Sequence, residues 1–155
     1  MTPVENLAQL GLSLPPAPPP VGSYLPALRV GDLVYTSGQL PIRDGKLIAV
    51  GKVGGGGIAS MAQAVDGARA ATLNALAQVS AVVGGLDNIL RIVRMGVFVN
   101  SAPGFTEQPK VANAASDLLV TIFGEAGRHV RAAVGASELP LDASVEIELT
   151  AQVRT

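Results

Sequence analysis

Arg131, Ala133 and Gly135 alternate in the run His129-Val130-Arg131-Ala132-Ala133-Val134-Gly135-Ala136, so any strand formed there places them on one face. A guanidinium beside two residues with almost no side chain leaves a hollow rimmed by a permanent cation, a candidate anion site. Arginine suits a carboxylate especially well, because its planar fork supplies two parallel hydrogen bonds and never loses its charge. Further on comes Glu146. A carboxylate partly shielded from water rises in pKa toward neutrality and becomes a proton carrier. His129 stands two positions before Arg131 and shares its face; a structural role beside the cleft is the expectation. As the only histidine in the chain, it cannot build a metal centre alone. The chain has no cysteine, which excludes disulfides, zinc–thiolate sites and thiol catalysis.

The 155 residues suggest one domain, 1–155, with a single core. Apolar residues make up 48% and charged residues only 15%, more apolar surface than one small globule hides easily. The surplus is read as subunit interface. The net charge of −1 gives no field to attract nucleic acid or an anionic membrane, and three Phe, two Tyr and no Trp offer little for base stacking. No basic region followed by an apolar run opens the chain. The apolar segment 58–83 is interrupted by Gln63, Asp66, Arg69 and Asn74, which argues against membrane insertion. A cytoplasmic location is the expectation.

The elements that must position these groups follow from periodicity. Thr2-Pro3-Val4-Glu5 reads as a capped helix start, and Leu14 to Pro20, with five prolines, as an extended strap; together they form an N-terminal segment, 1–22. Tyr24 to Val30 and Leu33 to Ser37 predict a hairpin around Gly31-Asp32, and Leu47 to Val50 a third strand. Gly51 to Gly57 holds five glycines before a helix, but lacks the Gly-Lys-Ser/Thr of a phosphate cradle and reads as a mobile loop. Apolar steps of three and four predict helices over about 58–83 and from near Thr106 to Gly124. Strands are predicted at Ile89 to Val99, at the Arg131 run, and at Val145 to Val153, whose alternation is unbroken. The expected architecture is α+β: a six-stranded sheet with two helices on one face.

If the last two strands formed a simple hairpin, residue 146 would oppose residue 136, on the order of 16 Å from Arg131 along the strand. Arg131 and Glu146 could not then grip one small molecule within a subunit. Either the strands are not direct partners or a neighbouring subunit completes the site; the second is favoured.

Taken together, Tyr24, Tyr35-Thr36-Ser37-Gly38-Gln39-Leu40-Pro41, Asn74, Arg131-Ala132-Ala133-Val134, Leu139-Pro140 and Val145-Glu146-Ile147-Glu148 resemble the YjgF-like superfamily. These are the reactive intermediate (enamine/imine) deaminases, also labelled endoribonuclease L-PSP, and the chain resembles a divergent branch of them. The resemblance implies a chorismate-mutase-like fold, a homotrimer with clefts between subunits, and no metal or organic cofactor. It implies that Arg131 binds the carboxylate of a small 2-imino acid and that Ser37, Gly38, Asn113 and Ala133 belong to the substrate site. Tyr24 and Glu146 would be catalytic, with Glu146 handling a water. Ala133 stands where the family usually has cysteine. Imine hydrolysis asks little of such a site: hold the substrate, leave its carbon open to water, move a proton.

Two other functions compete. One is a non-catalytic trimer that binds a small carboxylate; the other, ranked last on composition, is ribonuclease action. Plainer roles also stand beside the functional ones: an interface ion pair for Arg131, packing for Tyr24, turn chemistry for Ser37, a helix-start hydrogen bond for Asn113.

Overall fold

The computed structural model describes residues 1–155. Helix α1, Pro3–Gln9, starts with a reciprocal cap: Glu5 N–H donates to Thr2 Oγ1 at 3.2 Å, and Thr2 N–H donates to the Glu5 carboxylate at 2.8 Å. Two amide donors that a helix start leaves open are thereby satisfied. The proline strap runs extended across the body. Leu14 packs on the core, and the buried Gln78 donates through Nε2 to the Pro18 carbonyl.

Strands β1 (Ala27–Val30) and β2 (Leu33–Thr36) pair around Gly31, and β3 (Ile42–Arg43) and β4 (Lys46–Leu47) pair around Asp44-Gly45. There follow α2 (Met61–Val83), β5 (Ile89–Asn100), α3 (Gln108–Phe123), β6 (Val130–Ala136) and β7 (Val145–Val153). The main sheet has the order β1-β2-β7-β5-β6, and every pair is antiparallel except β5–β6. This is an α+β fold with a mixed sheet and three helices. Val34, Met95, Val97, Val99, Val145, Ile147 and Leu149 face the helices and form the core with Leu76 and Val79 of α2 and Val111 and Leu119 of α3.

The sheet has five strands rather than the six expected. The expected third strand, Leu47 to Val50, does not join it: Leu47 pairs locally with Ile42, and residues 42–47 close on themselves around Asp44-Gly45 as a two-stranded hairpin. Asn74 Nδ2 caps the carbonyls of Leu40 and Ile42 at 3.1 and 2.9 Å, taking the place of a neighbouring strand. Only isolated bridges remain, Gln39 with Ile147 and Val50 with Ala143.

The last two strands are not partners: β5 lies between β6 and β7. The hairpin supposition therefore fails. Along β5, strict alternation would put Val93 on the same face as Met95, Val97 and Val99, with Ile92 on the other, and it slips as well. A register shift between Ile92 and Arg94 turns Ile92, not Val93, into the core.

Helix α2 is buried nearly all round between Ala70 and Val79, wider than its single predicted stripe, because the strap and the β3–β4 hairpin cover its far side. At Gly67 it lies so close to its neighbours that a Cβ would stand 2.7 Å from that of Ala49. The glycine run, expected to be mobile, is tied to the end of β5. Val53 N–H donates to the Asn100 carbonyl at 2.8 Å, and Ala102 N–H to that of Val53 at 2.9 Å.

Candidate active site

The residues singled out by sequence fall into two groups on opposite faces of the sheet. Arg131 pairs with Met95, which pairs with Leu149, and both partners are buried under the helices. Arg131 faces the helices too, but from the edge strand, where it stays exposed and reaches α3. Its Nη1 donates to Asn113 Oδ1 at 2.9 Å and to Ser116 Oγ at 3.1 Å. Nε and Nη2 bond to nothing in the protein. Those two nitrogens make the fork that accepts a carboxylate side-on. Beyond Arg131 on this face, Ala133 is half-buried. At Gly135 an added Cβ would come within 2.9 Å of Gln108 Nε2 and 3.1 Å of Ser101 Oγ, so polar side chains close that end of the hollow.

Glu146 pairs with Phe98 and looks to the other, helix-free face. Reciprocal bonds between Gln39 and Ile147, 2.7 and 3.0 Å, clip the Ser37–Gln39 segment along β7. Gly38 is thereby pressed against Glu146: a Cβ there would sit 2.2 Å from Glu146 Oε1. Glycine at 38 is what lets the carboxyl lie where it does. Glu146 makes no hydrogen bond or ion pair, and burial first, the nearby Glu148 second, push its pKa above the usual carboxylate value. Glu148 itself pairs with Arg94 at 3.1 Å.

Tyr24 and Ser37 lie near this second group. The Tyr24 hydroxyl accepts the Val21 N–H at 3.2 Å and keeps its own proton free to donate. Ser37 Oγ donates to the Leu25 carbonyl at 2.7 Å and keeps lone pairs to accept. Tyr24 and Gly38 line, with the strap residues Pro18 to Val21, a cavity of about 70 Å³.

Within one chain the two groups do not meet. Arg131 and Glu146 are separated by three residue steps and two strand spacings, roughly 10 Å each way, besides pointing to opposite faces. A different cavity, about 670 Å³, opens between the glycine run and residues 103–107, with Phe105 seated over Gly54; it contains none of the predicted residues. No group of His, Asp and Glu side chains is placed to hold a metal ion.

Sequence reasoning missed Ser116, which bonds both Arg131 and His129 Nε2, the latter at 3.0 Å. The signal was present: Ser116 lies one helical turn after Asn113 and therefore on the same face of α3.

Residues 5–153 match the family described as "YjgF/chorismate_mutase-like, putative endoribonuclease", and the chain belongs to that family. It is 44% identical over 144 residues to "Protein TCP17" of Trypanosoma cruzi, covering 92% of this chain and 89% of that one. It is 30% identical over 137 residues to the "2-iminobutanoate/2-iminopropanoate deaminase" of Dermatophagoides farinae, covering 88% and 91%. A crystal structure from Shewanella oneidensis, described as a "putative endoribonuclease", superposes with a TM-score of 0.93 at 37% identity, covering 99% of this chain and all of that one. No helix here is long and apolar enough to cross a membrane.

Proposed function

We propose that this protein hydrolyses small reactive 2-enamine and 2-imine carboxylic acids to 2-oxo acids and ammonia, in clefts where Arg131 of one subunit meets Glu146 of the next. The carrying observation is the pair of half-sites: an anchored guanidinium with its carboxylate fork free, and an unpaired carboxyl with a raised pKa on the opposite face. The similarity to a 2-iminobutanoate/2-iminopropanoate deaminase supports the substrate class.

The assembly is proposed to be a homotrimer. The helix-free sheet face carries Leu28, Val30, Val130 and Val134 at 52, 59, 67 and 46% exposure, an apolar surface that a neighbouring subunit would cover.

In the reaction, Arg131 holds the carboxylate through Nε and Nη2. An enamine first takes a proton at its terminal carbon and becomes an iminium. Water then adds to the iminium carbon while the Glu146 carboxylate accepts its proton. The same proton passes to the amine of the resulting carbinolamine. The C–N bond breaks with loss of ammonia, the hydroxyl loses its proton, and a 2-oxo acid is left. Tyr24 donates a hydrogen bond and Ser37 accepts one at the Glu146 side of the cleft. A raised pKa suits a group that must both take and return a proton near neutrality.

Ammonia release from freshly generated 2-iminobutanoate tests this. Wild-type protein accelerates it and Arg131→Ala does not; equal rates with the two proteins contradict the proposal. Ala133, where the family usually has cysteine, favours one other reading, a carboxylate-binding trimer without catalysis. Calorimetry would then show binding lost in Arg131→Ala with no imine turned over by either protein.

A further inference from the structure

The chain of hydrogen bonds behind Arg131 has a direction. His129 Nδ1 lies 2.6 Å from the Gly127 carbonyl oxygen, which can only accept, so Nδ1 carries the ring proton. In the neutral ring Nε2 is then an acceptor, and the group facing it at 3.0 Å is the Ser116 hydroxyl. That hydroxyl must donate to Nε2, which turns its lone pairs toward Arg131 Nη1 at 3.1 Å. Asn113 Oδ1 takes the second Nη1 hydrogen.

We infer that Ser116 and His129 are positioning residues of the carboxylate site: the imidazole sets the Ser116 hydroxyl, and the hydroxyl, with Asn113, locks the guanidinium so that its Nε–Nη2 edge faces the cleft. The inference deepens the proposed function and rests on Arg131 being the carboxylate holder. Neither residue touches substrate. A guanidinium held by one nitrogen cannot swing about its long side chain, so less rotamer freedom is lost when a carboxylate binds. A protonated ring would reverse the chain. Nε2–H and Nη1–H would both point at one oxygen, and two cations would stand one hydroxyl apart.

Because His129 is the only histidine, its imidazole nitrogen signals in 15N-labelled full-length protein need no assignment. With the ring neutral, the expected result is the Nδ1-protonated tautomer in the wild type. The expected Arg131 side-chain spectrum, identified by its loss in Arg131→Lys, shows slow rotation with Nη1 and Nη2 resolved. In Ser116→Ala and His129→Phe the two should average, while Ser116→Thr and His129→Gln, which keep the hydroxyl and an acceptor, restore the resolved pair. A ring protonated on Nε2, or a guanidinium equally free in wild type and Ser116→Ala, overturns the inference. Calorimetry with 2-oxobutanoate separates this from the function itself. Ser116→Ala should weaken binding by up to about tenfold, the cost of immobilising one long side chain on binding, with Thr restoring it. If the wild type binds no 2-oxo acid, the carboxylate reading fails, whereas the spectra still decide whether the lock exists.

Discussion

Arg131 and Glu146 point to opposite faces of one sheet, from strands separated by β5. On the proposed function, a single chain therefore carries two incomplete sites, one with an anchored cation and one with an unpaired acid. In the proposed trimer, symmetric association would turn two such halves into one whole site, since a closed symmetric assembly repeats each contact between copies.

Gly38 controls the acid half. Its missing Cβ leaves the space that Glu146 Oε1 occupies. In Gly38→Ala the carboxyl, the end of a flexible side chain, swings away at little cost to the fold. Imine hydrolysis should fall by tenfold or more, about 1.4 kcal/mol in the barrier, with the melting temperature nearly unchanged. Parallel deamination assays and melting curves check this; a large fall in melting temperature would show the clash to be structural instead.

Burial of Glu146 has a consequence for stability against pH. Its folded pKa lies above the unfolded value, so the charged form is the disfavoured one in the fold. The penalty is present above the folded pKa and is relieved as pH falls through it. Glu146→Gln should therefore melt higher than wild type at neutral pH, and the gap should close on acidification. Melting scans over a pH series measure it; a gap that widens in acid has the wrong sign.

The Arg43–Asp66 pair behaves oppositely. The hydrogen bond from Arg43 holds the Asp66 carboxyl below its usual pKa, so its contribution is present at neutral pH and lost as pH falls through the folded value. Both side chains are about half exposed, which limits the pair to about 0–1 kcal/mol. Asp66→Asn should change denaturation midpoints little at neutral pH and less still in acid or high salt. A loss of several kcal/mol would show the pair to be buried in the assembly.

At Gly67 two effects oppose each other. Alanine improves helix propensity by about 1 kcal/mol, but its Cβ would stand 2.7 Å from that of Ala49 and 3.1 Å from that of Pro41, neither of which can swing aside. Overpacking of this kind costs about 1–3 kcal/mol and wins. Gly67→Ala should lower the urea midpoint without changing the slope; a raised midpoint would mean that α2 has room to shift.

Much of this was legible in the chain itself. The alternation of Val145 to Val153 put Glu146 on the face away from the core, and the steps Val111, Ala115, Leu118, Ile122 placed α3. What periodicity does not carry is strand order. Nothing local to β6 or β7 says that β5 slides between them, because that order depends on a parallel crossover through α3. The strand expected at Leu47 to Val50 failed because Leu47 pairs locally with Ile42 across the Asp44-Gly45 turn, and the slip at Ile92 had no local signal, since a bulge follows from packing along the whole sheet. For the site, Arg131 and its small neighbours could be read from spacing, but Tyr24, Ser37, Gly38 and Asn113 came only from the family pattern. Their separation into two half-sites required the sheet.

Subunit complementation tests the shared cleft most directly. Arg131→Ala and Glu146→Gln, each inactive alone, are mixed in equal amounts, unfolded and refolded together. If each cleft takes its arginine from one subunit and its glutamate from the next, random assembly restores about one quarter of the wild-type deamination rate. A mixture as inactive as either variant alone would show that the two residues do not work across a subunit boundary.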